Sequence, residues 1–152
     1  MDTARFPNVR VLPHSAVPHL LTTLRRDSTP TAEFVTAANR LLALLAEEAL
    51  ASLPSTTHTF TAPTGAAFSG PVLALESACA VSILRAGDAI AGAVRGVAPG
   101  MSVGKMVIQR DEGDDEKRAV LGYVKLPVGI AGMDVLLCDP MVASGGSAVA
   151  AL

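Results

Sequence analysis

Aromatic side chains are the scarcest feature of this sequence, which has no tryptophan and is 3% aromatic, although 50% of its residues are hydrophobic. A core without large rings has to be built from alanine, valine and leucine. That composition suits a parallel sheet covered by helices, whose strands are buried on both faces. With 152 residues, the chain is long enough for one domain with a substantial core.

The sequence also has little net charge, only two cysteines and no long apolar run. The net charge of −2 and the pI of about 5.9 argue against a nucleic-acid binder that relies on a positive field. Cys79 and Cys138 lie in apolar runs, which predicts buried, reduced thiols rather than a disulfide or a metal site. No run reaches the ~18 apolar residues of a membrane span, and no signal core opens the chain. We therefore expect a cytoplasmic protein with no membrane partner.

The first third of the chain predicts a short strand followed by helices. Residues 8–12 are strand-like and end before Pro13. Thr29 is predicted to cap a helix whose first residue is Pro30. An apolar stripe at helical spacing forms either core alone or core plus a subunit contact: Phe34, Ala38, Leu41, Leu42, Leu45 and Ala49. Residues 51–70, rich in Ser, Thr, Pro and Gly, predict a loop with one edge strand near 57–61.

A first polar loop follows a predicted buried strand at 78–84. Arg85 stands between this strand and Gly87, and a helix that Asp88 is predicted to cap comes next. An arginine so placed is suited to binding a phosphate or diphosphate in bidentate fashion. The alternative is an ion pair between Arg85 and a neighbouring carboxylate.

A second polar loop follows the predicted strand at 135–138. Asp139 stands where that strand ends, and residues 144–147, Ser-Gly-Gly-Ser, precede an apolar helical run. Such a loop can direct backbone N–H groups at a phosphate, and ligands of open α/β sheets bind at the carboxyl ends of strands. The alternatives are an ordinary strand–turn–helix corner and, for Asp139, a turn residue before Pro140 rather than an acceptor for ribose hydroxyls.

Between these loops the pattern predicts a long β-hairpin. Residues 103–109 and 119–127 are extended, and a charged tip separates them at 112–118. The hairpin is an arm that can reach over a ligand or another subunit. The order of elements predicts an α/β fold with a largely parallel sheet flanked by helices.

Four segments, in this order and spacing, resemble the uracil phosphoribosyltransferase family: Ile83-Leu84-Arg85-Ala86-Gly87, Gln109-Arg110-Asp111, Tyr123-Val124-Lys125-Leu126-Pro127 and Asp139-Pro140-Met141-Val142-Ala143-Ser144-Gly145-Gly146-Ser147. The resemblance implies a type I phosphoribosyltransferase fold formed by residues 1–152 as one domain. It also implies an enzyme of pyrimidine salvage, which converts uracil and 5-phosphoribosyl diphosphate (PRPP) to UMP and diphosphate. It further implies assembly as a homodimer or a larger homo-oligomer.

The resemblance also implies roles for individual residues. Arg85 and Asp139 are the expected catalytic residues, and Mg²⁺ is expected to arrive with the diphosphate rather than on protein ligands. The residues expected to bind PRPP are Arg85, Arg110, Asp139, Pro140, Met141, Val142, Ala143, Ser144, Gly145, Gly146 and Ser147.

The sequence departs from the family's pattern at three places. Ser144 stands where the family usually has threonine, and Asp88 adds a negative charge close to the expected diphosphate site unless it caps the helix. The family continues beyond this chain through further strands to a segment that binds uracil. We therefore expect a C-terminally truncated domain with its last strands and uracil site missing and with little or no catalysis alone. The alternative is a non-catalytic PRPP-binding regulatory or dimerisation module.

Overall fold

The computed structural model describes residues 5–110 and 119–152. Its helices and strands, in chain order, are α1 (Val17–Arg25), α2 (Thr31–Leu50), β1 (Ser55–Thr61), β2 (Ala67–Leu73), β3 (Ala78–Leu84), α3 (Gly87–Val97), β4 (Ser102–Arg110), β5 (Ala119–Lys125), β6 (Asp134–Cys138) and α4 (Gly146–Ala151).

A four-stranded sheet in the order β5-β4-β3-β6 forms the centre of the fold. Strand β3 pairs in parallel with both β4 and β6, whereas β5 runs antiparallel to β4 with a register shift between Val107 and Ile108. The predicted α/β fold with a largely parallel, helix-flanked sheet is confirmed, as are the two strands of the hairpin arm. The predicted tip at 112–118 and Asp111 lie outside the described residues.

Strand β3 is the best-buried element because both of its faces are covered. Its even-numbered residues Ala78 and Ala80 belong to a core cluster with Val94 of α3. Its odd-numbered residues Cys79 and Val81 belong to a second cluster, with which Ala151 of α4 packs. Alternation of side chains along a strand produces this division. The small side chains of the first face allow α3 to lie close to the sheet, and Ala78, Ala80 and Val94 are in keeping with the predicted core of alanine, valine and leucine.

Two sequence predictions for the N-terminal half are wrong. Residues 8–12 form no strand, and Val9 and Val11 are exposed, because no strand among the described residues pairs with this segment. The region 51–70 is more than a loop with one edge strand, since β1 and β2 pair from Ser55↔Leu73 to Thr61↔Ala67. The edge strand near 57–61 is confirmed as part of β1. Its partner was missed because both strands are largely exposed and carry no apolar alternation.

The start of α2 also differs from the prediction. Pro30 is the N-cap, and the Thr29 hydroxyl donates to the Thr23 carbonyl at 2.7 Å instead of capping the helix. The buried residues of α2 are Ala37, Ala46 and Leu50, while Phe34 and Leu45 of the predicted stripe are exposed. Ala46 and Leu50 share a core cluster with Val94 of α3, and the small Ala46 side chain permits close packing of the two helices. Among the helices of the described ranges, none is long and apolar enough to cross a membrane.

Candidate active site

Three of the four family-like segments meet at one edge of the sheet. Strands β3, β4 and β6 are parallel neighbours, with Leu84 opposite Val107 and Ser82 opposite Cys138. Their carboxyl ends therefore lie side by side, and the loops that begin at Arg85 and Asp139 leave adjacent strands at the same edge. This is the edge at which open α/β sheets bind their ligands.

Gly87 joins the two loops. A Cβ on this residue would overlap the carbonyl oxygen of Cys138, the last residue of β6, and would lie 3.1 Å from the hydroxyl of Ser82. Only glycine permits this approach of helix α3 to the end of β6. Gly87 thus sets the spacing between the loop that carries Arg85 and the loop that begins at Asp139.

Arg85 is exposed at the mouth of a cleft of about 800 Å³. The cleft is bounded on the β4 side by Val107, Ile108 and Gln109, and a cis peptide bond joins Leu84 to Arg85. Within residues 5–110 and 119–152, neither recorded ion pair includes Arg85. Among the described residues, Arg85 therefore forms no ion pair with a carboxylate, and it lines an open cleft.

Arg110, the second arginine expected to contact PRPP, is the last residue of β4. Its backbone continues the strand that carries Gln109 past the cleft. Its side chain lies outside what the structure describes.

The second loop has the conformation of a strand–turn–helix corner. The Asp139 carboxylate Oδ1 accepts a hydrogen bond from the Met141 N–H at 3.2 Å, so Asp139 does act as a turn residue. Gly145 has a φ of 81°, in the left-handed region, and is followed at once by α4. The loop surrounds a depression of about 40 Å³ lined by Asp139, Met141, Val142, Ala143, Ser144, Gly145, Gly146, Ser147 and Ala148.

The hydroxyl of Ser144 has a local role in this loop. It accepts a hydrogen bond from the Gly146 N–H at 3.4 Å, while the carbonyl of Gly145 accepts the Val149 N–H at 2.9 Å. Residues 141–144 are exposed. The loop therefore forms a shallow, open cup at the end of β6, in the position where the sequence predicts a phosphate site.

Asp88 does not cap α3 as predicted, because the helix begins one residue earlier, at Gly87, with Ala86 as N-cap. Its carboxylate Oδ2 instead accepts a hydrogen bond from Lys105 Nζ of β4 at 2.9 Å. This bond lowers the pKa of Asp88 below its ordinary value. The buried Ser82 hydroxyl adds to the shift, although its geometry falls short of a hydrogen bond.

Both cysteines are unpaired and buried, as predicted. Burial raises the pKa of the Cys138 thiol to about 11 and also raises that of Cys79. Among the described residues, no group of three or more His, Cys, Asp or Glu side chains could hold a metal ion. The thiols are core residues, and the described part of the site has no protein-built metal cage.

Sequence reasoning located the two loops but missed what holds them together. Gly87 was noted only as a turn residue, and Lys105 was read as part of a strand. The motif order indicated neither the contact of Gly87 with Cys138 nor the pairing of Lys105 with Asp88. Both depend on the β3–β4 and β3–β6 registers, which bring together residues far apart in the chain.

A largely parallel sheet with two helix-initiating loops at adjacent carboxyl ends, and an antiparallel arm beside them, defines a fold of the phosphoribosyltransferase class. A family model for uracil phosphoribosyltransferase matches residues 11–152. The chain belongs to the uracil phosphoribosyltransferase family.

Individual relatives agree with this assignment. The chain is 40% identical over 133 residues to uracil phosphoribosyltransferase 1 of Schizosaccharomyces pombe, covering 88% of this chain and 59% of that protein. It is 40% identical over 152 residues to uracil phosphoribosyltransferase of Lachancea kluyveri, covering 99% of this chain and 69% of that protein. The chain thus spans about 59% of the length of the Schizosaccharomyces relative.

A solved structure has the same fold. The AQ2163 protein from Aquifex aeolicus superposes with a TM-score of 0.76 at 27% sequence identity. The match covers 94% of this chain and 66% of that one. The similarity extends over nearly all of the described elements.

Proposed function

We propose that the protein transfers the phosphoribosyl group of PRPP to uracil, giving UMP and diphosphate, and that residues 1–152 supply the PRPP-binding part of the site. The observation that carries the proposal is the convergence of the Arg85 and Asp139 loops at adjacent strand ends, in a chain of this family. A ligand with a diphosphate at one end and a single phosphate at the other matches two such loops.

Each loop has a distinct part in the reaction. The bond that breaks joins the anomeric carbon of the ribose to an oxygen of the diphosphate, which leaves with the bonding electron pair. The bond that forms joins that carbon to uracil N1, whose proton is released to solvent. Arg85, exposed over the cleft, binds the leaving diphosphate, whose charge grows in the transition state. The loop 144–147 holds the 5′-phosphate with its backbone N–H groups.

Asp139 acts between the two phosphate sites. Its Oδ1 accepts the Met141 N–H, which fixes the carboxylate at the end of β6 and leaves the group able to accept hydrogen bonds from ribose hydroxyls. Held at three points, the sugar is oriented for attack at its anomeric carbon, and orientation of this kind is a major source of rate acceleration.

Mg²⁺ is expected to accompany the diphosphate and to neutralise part of its charge. The donor chemistry supports that expectation, because Mg²⁺ is commonly held by one or two carboxylates together with substrate phosphates. Asp139 is the carboxylate of the described residues that lies in the phosphate loop.

Titration calorimetry with PRPP and Mg²⁺, together with conversion of radiolabelled uracil to UMP by the product of the native gene, tests this function. Arg85→Ala is expected to weaken PRPP binding about tenfold or more, because hydrogen bonds to charged groups contribute about 1.5–3 kcal/mol each. Arg40→Ala, which removes an exposed arginine of α2, is the matched control and should bind as the wild type does. Absence of both PRPP binding and UMP formation would contradict the proposal.

A non-catalytic PRPP-binding module is the second candidate. The shared loops support it, and it differs in one outcome: calorimetry then shows PRPP binding with Mg²⁺, while the native gene product forms no UMP from uracil and PRPP.

We further infer that the protein associates with copies of itself. Large apolar side chains are exposed on the β1–β2 hairpin, where the Phe60 and Phe68 rings pack at a tilt of 46° with centroids 5.4 Å apart. On β5, Tyr123 is also exposed. Contiguous exposed apolar surface is typical of interaction sites. Light scattering should give the mass of a dimer or a larger oligomer, and a monomer at all concentrations would contradict this inference.

A further inference from the structure

Asp88 places a negative charge one turn after Arg85, the residue that is proposed to bind diphosphate. Its backbone N–H donates to the carbonyl of Arg85 at 3.2 Å, so the two residues close one turn at the start of α3. The Asp88 side chain is 44% exposed. One helical turn rises ~5.4 Å, and exposed charges interact over roughly one Debye length, ~10 Å at 0.1 M salt. An unpaired carboxylate one turn from Arg85 would therefore repel an anion bound there.

Lys105 reaches this carboxylate from the neighbouring strand. It lies on β4 opposite Ser82 of β3, and its Nζ is 2.9 Å from Asp88 Oδ2. Register-paired residues have their side chains on the same face of a sheet. The Lys105 side chain therefore lies on the face that α3 covers. The structure thus brings together two charges that are 17 residues apart in the chain.

We propose that Lys105 is a positioning residue for PRPP binding, which neutralises Asp88 and keeps its charge from repelling the diphosphate at Arg85. This inference rests on the proposed function. Asp88 lies one turn from Arg85, and Lys105 is the partner that the fold supplies for its carboxylate. Lys105 acts through Asp88 and not by touching the ligand.

A role of the Asp88–Lys105 pair in ligand binding can be distinguished from a role in folding stability. Exposed ion pairs contribute little to folding, and the Lys105 side chain is 49% exposed. Removing Lys105 should therefore leave the thermal unfolding midpoint nearly unchanged. The electrostatic effect on a multiply charged anion is larger, on the order of three- to tenfold in affinity at low salt, and salt screens it.

A double-mutant cycle measured by titration calorimetry with PRPP and Mg²⁺ tests the proposal. The proteins are the wild type, Lys105→Met, Asp88→Asn and the double variant, each at about 0.02 M and about 0.5 M salt. Arg95→Met is the matched control, since it removes a second cation that lines the same groove as Asp88 and Lys105 without removing the partner of Asp88.

At low salt, Lys105→Met is expected to weaken PRPP binding roughly fivefold, and high salt should remove most of that loss. The double variant should bind PRPP within about twofold of the wild type, because no unpaired carboxylate remains. Asp88→Asn alone should bind PRPP at least as tightly as the wild type, and Arg95→Met should show a smaller loss than Lys105→Met.

Two results would overturn the proposal. If Lys105→Met has no effect, Asp88 does not repel the ligand. If Lys105→Met costs as much with Asn at position 88 as with Asp, then Lys105 contacts the ligand itself. A wild type that binds PRPP while the cycle shows no coupling rejects this inference alone, whereas a wild type that binds no PRPP rejects the proposed function with it.

Discussion

Gly87 lies against the carbonyl oxygen of Cys138 so closely that no side chain fits between helix α3 and the end of β6. This contact joins the start of the helix that follows Arg85 to the start of the loop that follows Asp139. The distance between the two proposed phosphate sites therefore depends on the absence of one Cβ.

Replacement of Gly87 by alanine should disturb both loops at once. The new methyl group would overlap backbone, so α3 or β6 must shift, and overpacking of this kind costs about 1–3 kcal/mol. We expect a lower free energy of unfolding in urea and a marked loss of PRPP affinity.

Gly92→Ala on the same helix is the control for Gly87→Ala. A Cβ at Gly92 meets nothing within 4 Å, so alanine should stabilise the helix by about 0.5–1 kcal/mol and leave PRPP binding unchanged. Equal unfolding free energies for the two variants would show that the contact with Cys138 imposes no constraint.

Two substitutions separate the role of Asp139 in the turn from its proposed role in ligand binding. Asp139→Asn keeps an oxygen for the Met141 N–H but removes the charge, whereas Asp139→Ala removes both. We expect the asparagine variant to retain nearly all of its stability and to lose about tenfold in PRPP affinity, as for a lost charge-assisted hydrogen bond. The alanine variant should in addition lose about 1 kcal/mol in urea unfolding. If the asparagine variant binds PRPP with wild-type affinity, Asp139 stabilises the turn and does not bind the ligand.

Gly145 and Gly146 form a matched pair in the phosphate loop. Gly145 has a φ of 81°, a conformation that costs an L-residue roughly 1–2 kcal/mol, while a Cβ on Gly146 would meet only the Ser144 hydroxyl at 3.5 Å. Gly145→Ala should therefore loosen the start of α4 and speed hydrogen exchange at the Val149 N–H, which bonds to the Gly145 carbonyl. Gly146→Ala should leave that exchange rate unchanged or slow it, and the opposite order would contradict the strain argument.

The buried Cys138 thiol predicts a loss of stability in alkali. Burial raises its pKa from 9.0 to about 11, so between these values the unfolded chain has lost a proton that the native state keeps. Because the native state then binds more protons, the free energy of unfolding falls as the pH rises from about 9 to about 11 and is unaffected below that window. Urea unfolding of the wild type and of Cys138→Ala over this range isolates the effect, since only the wild type should show the Cys138 contribution. Parallel curves would contradict it.

Local patterns in the sequence were sufficient to predict the main parts of the fold. The apolar run of β3 predicted a buried strand, which the structure confirms, and glycine, serine and aspartate after β3 and β6 marked the loops. The segments around Arg85 and Asp139 identified the family, since motifs in fixed order carry information that composition does not. Sequence patterns gave wrong predictions for segments that are exposed. This applies to β2, which contains Gly70-Pro71, and to residues 8–12.

The sequence by itself predicted which residues bind a phosphorylated ligand, because that prediction depends on residue type and on the local order of strand, glycine turn and helix. The tertiary structure alone decided how those residues are arranged. The β3–β4 register brings Lys105 to Asp88, and the β3–β6 register brings Cys138 to Gly87. Both relationships depend on strand pairing across long stretches of chain, and no local pattern encodes a contact whose partner is chosen by the packing of the whole sheet.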